Sequence, residues 1–273
     1  MWKKRAMSIP KQIYQTFFKR SGLHPKIEDN IASLVAKNPG WTHNFYTDDD
    51  CVEFIKQHYG QEMLDTYNLI NPSYGAARSD LFRYLLIYAV GGVYLDIKSS
   101  VSVSLNKLTG NSEYILAHWE DVPKGMFDGD APEHGEFQQW HVIAAAKHPF
   151  LEAVIERVVR NIHDPANREL SGKLGVIRLT GPVPYTRAIM PILHKHPYTR
   201  YRTDNHAGLV YTVMPGNDGH MFLYNNKDNV HYSRFSHPVI GNAEPVRKKN
   251  LIVDTAYAIY EKALKRKLEA ASA

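Results

Sequence analysis

In the first half of the chain, segments with the apolar spacing of a strand alternate with segments that have the apolar spacing of a helix. Large and polar residues alternate over residues 41–46, as in a half-buried strand, whereas residues 73–90 carry apolar side chains at helical spacing. Thr47 and the acidic residues 48–50 are typical of a helix N-terminus. The pattern predicts strands at residues 9–17, 41–46 and 93–97, and helices at residues 25–37, 50–59, 61–69 and 73–90. This alternation favours an α/β layered fold.

The segment from residue 73 to residue 97 holds the most informative pattern. Its helix is apolar around nearly the whole circumference, which is typical of a buried helix, yet Asp80 and Arg83 lie three residues apart on one ridge. A glycine pair ends the helix, and a short strand then places Asp96 at its carboxyl end. Ligands of open α/β sheets bind beyond the carboxyl ends of strands, so these three residues are candidate ligand-binding groups. For Asp80 and Arg83, an ordinary surface ion pair is the alternative.

The second half of the chain has a less regular pattern. It predicts a strand at residues 114–119, helices at residues 140–146, 149–161 and 182–193, and short strands within residues 201–214. A polar, His-rich loop follows at residues 228–234, and a helix with a basic end at residues 248–270. No segment has the composition of a linker. We therefore expect a single domain over residues 1–273, with a more irregular C-terminal half.

Composition and charge exclude several classes of protein. With 44% hydrophobic and 22% charged residues, the chain is typical of a globular protein. The net charge of +5 suits anionic small molecules or a membrane surface, and no interleaving of aromatic and basic residues favours nucleic acid. Cys51 is the only cysteine, which excludes an internal disulfide framework.

The chain has no uninterrupted apolar stretch of about 18 residues, and its N-terminus lacks the pattern of a secretory signal. We therefore expect a cytoplasmic protein. It would be soluble, or peripherally bound to a membrane through its basic C-terminal helix. Packing of that helix on the domain, with its basic end in solvent, is the alternative.

The centre of the chain reads ARSDLFRY at residues 77–84, followed by GGVYLD at residues 91–96. Further distinctive blocks lie at residues 9–17, 38–41, 46–48, 139–140, 148–149 and 180–182. Together these blocks resemble the DXD-motif sugar transferases, a family that includes the fungal initiating mannosyltransferase and bacterial capsular-polysaccharide transferases. The resemblance covers roughly residues 9–190, and the central block is its most specific part.

The resemblance implies a GT-A fold, in which a Rossmann-like mixed sheet is flanked by helices. It also implies a glycosyltransferase that moves a hexose from a UDP- or GDP-linked sugar to a saccharide or glycoconjugate acceptor, with retention of anomeric configuration, as in polysaccharide biosynthesis. The nucleotide-sugar half would span about residues 9–110, and the acceptor-side half about residues 111–247.

The same resemblance implies roles for individual residues. Asp80 and Arg83 would bind the sugar and ribose side of the donor, and Asp96 would be the first carboxylate of the DXD motif. The further donor-binding residues would be Phe17 near the nucleotide base, Trp140 near the reacting sugar, and His231 near the diphosphate. Gln139, also near the reacting sugar, would be catalytic together with Asp96 and Lys98, and Lys98 would bind the donor as well.

The chain departs from the family at Lys98, which gives Asp-Ile-Lys where the family has Asp-X-Asp. The two carboxylates of the usual motif hold Mn²⁺ or Mg²⁺, which stabilises the diphosphate leaving group. A protonated lysine cannot ligate either cation. Lys98 could itself neutralise the diphosphate, or a metal could be held by Asp96 together with Asp218 or His231. The third alternative is a catalytically degenerate module that still binds carbohydrate or nucleotide.

Overall fold

A six-stranded sheet forms the centre of the computed structural model, which describes residues 8–119, 135–214 and 231–245. The strands are β1 (Gln12–Thr16), β2 (Thr42–Tyr46), β3 (Gly92–Leu95), β4 (Ser100–Val101), β5 (Tyr114–Ala117), β6 (His141–Ala144), β7 (Thr199–Tyr201) and β8 (Leu209–Val210). The large sheet has the order β2-β1-β3-β6-β5-β7, and β4 pairs with β8 separately. β1 is parallel to β2 and β3, β6 is antiparallel to β3 and β5, and β7 is parallel to β5.

Helices flank both faces of this sheet, which confirms the predicted mixed α/β architecture. They are α1 (Pro25–Lys37), α2 (Asp48–Asn68), α3 (Gly75–Val90), α4 (Leu105–Thr109), α5 (Pro149–His163), α6 (Gly172–Leu179), α7 (Pro182–Ile189) and α8 (Asp204–Ala207), with 3₁₀ turns at Pro165–Asn167, Met190–Lys195 and Tyr232–Arg234. Tyr14 and Tyr94 share one core with α2, α3 and α5, whereas Ile13 and Val93 share the other with α1 and α4. Successive residues of β1 and β3 pack into the cores on opposite faces of the sheet, because side chains alternate between the two faces along a strand.

The helices of the first half begin and end close to the predicted residues. α1 has the predicted bounds, and α3 begins two residues later than predicted. A capping box begins α2: the Thr47 hydroxyl accepts from the Asp50 backbone N–H, and the Asp50 carboxylate accepts from the Thr47 backbone N–H. Gly60, with a φ of 77°, interrupts α2 between the two segments that the sequence predicts as separate helices.

One element of the second half differs in type from the prediction. Residues 140–146 contain the buried strand β6 instead of a helix, and β6 lies between β3 and β5. A short apolar run carries no decisive period, and in the folded chain Val142 and Ala144 face one core while Ile143 faces the other. The predicted helix at residues 182–193 also ends early, because α7 stops at Ile189 and a 3₁₀ turn follows.

The turn between α3 and β3 requires glycine. Gly91 and Gly92 have φ angles of 67° and 116°. A Cβ on Gly91 would lie 2.6 Å from the backbone nitrogen of Ala146, and one on Gly92 would lie 2.9 Å from the carbonyl oxygen of Gln12. The glycine pair lets the buried helix turn directly into the central strand, and thereby determines where Asp96 lies.

None of the helices in residues 8–119, 135–214 and 231–245 is long and apolar enough to cross a membrane. The predicted basic helix at residues 248–270 and the candidate ligand Asp218 lie outside the described residues. So do residues 228–230 of the predicted polar loop, whose later part forms the last 3₁₀ turn.

Candidate active site

The candidate site lies at the carboxyl ends of β1 and β3. β1 leads through α1 to β2 on one side, whereas β3 lies on its other side, so the strand order reverses here. Ligands of open α/β sheets bind at such a switch point. Asp96 directly follows β3, and its backbone N–H donates to the Trp140 carbonyl oxygen at 2.9 Å. The side-chain amide of Gln15 donates to the Asp96 carbonyl oxygen at 3.1 Å, which holds this turn in place.

The guanidinium of Arg83 joins α3 to the ends of two strands. Its Nη2 lies 3.0 Å from Asp96 Oδ1 and 3.2 Å from Asp80 Oδ1. Its Nη1 donates to the carbonyl oxygen of Gln139 at 2.7 Å and to the side-chain oxygen of Gln139 at 2.8 Å. Burial opposes the charge of Arg83, but the nearby Asp96 carboxylate and other negative groups outweigh it, so the pKa of Arg83 is raised. The Asp80–Arg83 pair is therefore a buried structural unit, not an ordinary surface ion pair.

Asp80 is buried and receives a second donor from a distant helix end. Thr180, directly after α6, donates its hydroxyl to Asp80 Oδ2 at 2.8 Å. Burial raises the pKa of Asp80 to about 6, although Arg83 and the Thr180 hydrogen bond both favour the charged form. Both oxygens of Asp80 thus have a partner within the protein, and one of these partners is Arg83.

Asp96 is the accessible carboxylate of this group. Its side chain is 25% exposed, whereas those of Asp80 and Arg83 are each 4% exposed. The ring of Tyr94 has its centroid 4.7 Å from Arg83 Cζ, and its hydroxyl lies 3.0 Å from the hydroxyl of Thr16. A partly open carboxylate fixed beside an arginine can accept hydrogen bonds from the hydroxyls of a bound sugar.

Lys98 is packed against the ring of Tyr211. Its Nζ lies 3.0 Å from the Tyr211 hydroxyl and 4.1 Å from the centroid of that ring. Tyr211 in turn contacts the rings of Trp119 and Trp140, at centroid separations of 5.1 and 5.5 Å. Lys98 is only 7% exposed. The lysine at the third motif position is thus buried two residues after Asp96 and does not extend into solvent.

The candidate residues Gln139, Trp140 and Phe17 each have their own contacts near this group. Gln139 contacts Arg83 through both its backbone and its side-chain oxygen. Trp140 is buried, and its indole N–H is hydrogen-bonded within the protein. Phe17 follows β1 and packs in the same small apolar cluster as Ile97, beside the turn that carries Asp96.

The last 3₁₀ turn brings the C-terminal part of the described chain to the site. His231 precedes this turn, and its Nδ1 accepts from the Ser233 backbone N–H at 3.3 Å and lies 2.7 Å from the Ser233 hydroxyl. Burial raises the pKa of Tyr232, and the charges of Asp80 and Asp96 raise it further. His231 therefore caps a turn whose next residue is under the electrostatic influence of both carboxylates.

The carboxylate and imidazole groups of the described residues do not by themselves fit a divalent cation. No cluster of three or more His, Cys, Asp or Glu residues occurs among them. Asp96 Oδ1 contacts Arg83, both oxygens of Asp80 have partners, and Lys98 replaces the second motif carboxylate. At phosphates, Mg²⁺ is typically held by one or two carboxylates together with waters and phosphate oxygens, and the described part of the motif offers one partly exposed carboxylate, Asp96.

Sequence reasoning missed several side chains that hold the site together. Thr180 lies 100 residues from its partner Asp80, and Tyr211 lies 113 residues from Lys98. Thr180 falls in one of the blocks that resemble the sugar transferases, so that block was a usable signal. No local pattern distinguishes Tyr211 from the other tyrosines of the chain.

Comparison with known proteins finds sequences similar to this chain among glycosyltransferases. Residues 25–115 match the family described as glycosyltransferase sugar-binding region containing DXD motif. The chain is 30% identical over 134 residues to the initiation-specific alpha-1,6-mannosyltransferase of Candida albicans, which covers 45% of this chain and 34% of that protein. It is 25% identical over 223 residues to the protein of the same name from Schizosaccharomyces pombe, which covers 76% of this chain and 54% of that protein. The chain thus spans only about a third to a half of the length of these relatives.

A solved structure, the PaToxG glycosyltransferase, aligns with a TM-score of 0.46 and 18% identity, over 69% of this chain and 73% of that chain. The relatives and the matched sequence region support a DXD-type glycosyltransferase. Residues 25–115 are thus similar to the sugar-binding region of the DXD-motif glycosyltransferases.

Proposed function

We propose that this chain transfers a hexose from a UDP- or GDP-linked donor to a saccharide or glycoconjugate acceptor, with retention of anomeric configuration. The observation that carries the proposal is the accessible Asp96 carboxylate, which Arg83 holds at the switch point of the sheet. Open α/β sheets bind their ligands at this position. The names of the relatives support a hexose donor, because several of them are mannosyltransferases.

The proposed reaction exchanges one bond at the anomeric carbon of the donor. The C1–O bond to the diphosphate breaks, and its electron pair stays on the diphosphate oxygen. A hydroxyl oxygen of the acceptor bonds to C1 from the same face, and its proton passes to the departing diphosphate or to water. The leaving group gains negative charge in this step, which a fixed positive group stabilises.

The described residues have separate roles in this proposal. Asp96 accepts hydrogen bonds from donor hydroxyls, Arg83 orients Asp96, and Asp80 holds Arg83. Gln139 binds the same guanidinium and borders the reacting sugar. Lys98, two residues after Asp96, supplies positive charge to the diphosphate.

The test measures release of nucleoside diphosphate from UDP- and GDP-hexoses in the presence of a panel of saccharide acceptors. Asp96→Asn keeps the size of the side chain and removes its charge, so we expect turnover to fall at least about 100-fold, as when one electrostatic group is removed from an active site. Asp49→Asn, an exposed carboxylate in the first turn of α2, is the matched control and should keep wild-type turnover. Near wild-type turnover in folded Asp96→Asn would contradict the proposal.

The lysine at position 98 favours a second candidate, a catalytically degenerate module that binds a nucleotide-sugar without turning it over. Such a module would gain melting temperature with one family of donors, because a ligand that binds only the folded state stabilises it. It would show no turnover with any acceptor, and Lys98→Asp would leave turnover at zero. A gain of metal-dependent turnover in Lys98→Asp would count against this candidate.

A further inference from the structure

We propose that Lys98, held by Tyr211, is the fixed positive charge that receives the donor diphosphate, and that this chain binds its donor without a divalent cation. The inference rests on the proposed function, since it concerns the diphosphate of the same nucleotide-sugar. It assigns to one buried side chain the charge that a metal supplies in a site with two motif carboxylates.

The first argument is the incomplete pairing of the Lys98 ammonium. Among the described residues it contacts the Tyr211 hydroxyl and ring, and it takes part in none of the ion pairs. An ammonium has three donor hydrogens, and a buried charge is costly unless an anion or several acceptors compensate it. A neutral hydroxyl and an aromatic face compensate only part of that cost, so the site is built to gain from an added anion.

The second argument is that this charge is held in place. The backbone N–H of Val213 donates to the carbonyl oxygen of Lys98 at 2.8 Å, and the Ser99 hydroxyl donates to the carbonyl oxygen of Tyr211 at 2.7 Å. The Asn30 amide donates to the carbonyl oxygen of Ser99 at 2.8 Å. These bonds join the turn after β3 to the segment that carries Tyr211 and to α1. A charge that is fixed before the ligand arrives stabilises a developing negative charge without reorganisation.

The third argument is that the nearby carboxylates already have partners within the protein. Arg83 lies within 3.2 Å of oxygens of both Asp80 and Asp96, and Thr180 occupies the other oxygen of Asp80. The two carboxylates are thus already engaged with a protein cation, and the third motif position offers an ammonium in place of an oxygen ligand. At the third motif position the chain therefore offers the diphosphate a positive charge, the ammonium of Lys98, in place of a cation held by two carboxylates.

The experiment measures binding of UDP and GDP to the full chain by titration calorimetry, in EDTA and in Mn²⁺. We expect wild type to bind one of them with the same affinity in both buffers. Lys98→Met, which keeps a long apolar stem, should lose at least 10-fold in affinity, equal to about 1.4 kcal/mol. Lys107→Met, which removes an exposed lysine from α4, should bind like wild type.

Two further measurements separate charge from folding. The melting temperature of unliganded Lys98→Met should equal or exceed that of wild type, because a buried and incompletely paired ammonium has been removed. Lys98→Asp restores the second carboxylate, and we expect it to bind nucleotide in Mn²⁺ but not in EDTA. Should Lys98→Met fail to fold, Tyr211→Phe leaves the ammonium in place, and its binding should remain equal in both buffers.

Each contrary outcome has a separate meaning. Wild-type binding that requires Mn²⁺ and disappears in EDTA would overturn this inference and leave the proposed transferase function standing. Equal affinities of Lys98→Met and wild type in EDTA would also overturn it. Absence of UDP and GDP binding in both buffers would overturn the proposed function itself, and this inference with it.

Discussion

Replacement of Arg83 by methionine tests whether the buried ion pairs hold both the fold and the site. Methionine keeps much of the side-chain volume but removes the contacts to Asp80, Asp96 and Gln139. Two carboxylates then lose their cation, and Asp80 has almost no access to water. Breaking a buried pair by removing one partner typically costs about 3–5 kcal/mol. That is a large part of the roughly 5–15 kcal/mol by which most domains are stable.

The Arg20–Asp50 ion pair provides a matched control for this effect. Its N–O distance is 3.2 Å, the same as between Arg83 and Asp80, but its side chains are 65% and 42% exposed. An exposed pair contributes about 0–1 kcal/mol, because water already solvates both charges. Arg20→Met should therefore cost at most about 1 kcal/mol, and burial accounts for the difference.

Urea unfolding near neutral pH measures both variants, and a double-mutant cycle with Asp80→Asn isolates the pair. We expect a coupling energy between Arg83 and Asp80 in the range of about 1–3 kcal/mol. Arg83→Lys, which keeps the charge but loses the planar fork, replaces Arg83→Met if the latter does not fold. A loss for Arg83→Met no larger than that for Arg20→Met, or an additive cycle, would refute the reasoning.

Two further predictions concern the turn before β3 and a buried carboxyl. Gly91→Ala should destabilise the chain by clearly more than Gly40→Ala in urea unfolding. Both glycines have positive φ, but only the Cβ at Gly91 would meet backbone, 2.6 Å from the Ala146 nitrogen. Burial raises the pKa of Glu136 to about 7, so the folded chain keeps a proton that the unfolded chain releases. Stability should therefore fall as pH rises from about 4.5 to 7, and Glu136→Gln should remove that fall.

These two predictions have clear contrary results. Equal losses for the two glycine variants would show that backbone conformation, not the close approach to Ala146, limits substitution at Gly91. For Glu136, the melting temperature of Glu136→Gln relative to wild type is measured at pH 5 and at pH 8, and the gain should be larger at pH 8. The same gain at both pH values would show that Glu136 does not take up a proton on folding.

Local sequence patterns predicted much of the first half of this fold. Helical spacing and the capping residues located α1 and the start of α2, because these signals depend on side chains within one or two turns of each other. The same reasoning failed for β6. A four-residue buried run has no distinguishing period, and its state depends on the strands β3 and β5 that pair with it.

The sequence by itself therefore determined the α/β architecture, the glycine turn after the buried helix and the nomination of Asp80, Arg83 and Asp96. Only the tertiary structure decided which of these groups contact each other. It showed that one guanidinium binds both carboxylates, that Thr180 completes Asp80, and that Lys98 lies against Tyr211. The reason is physical: spacing reports which residues share a helix ridge or a strand face, whereas contacts between residues 100 or more positions apart depend on strand order and core packing.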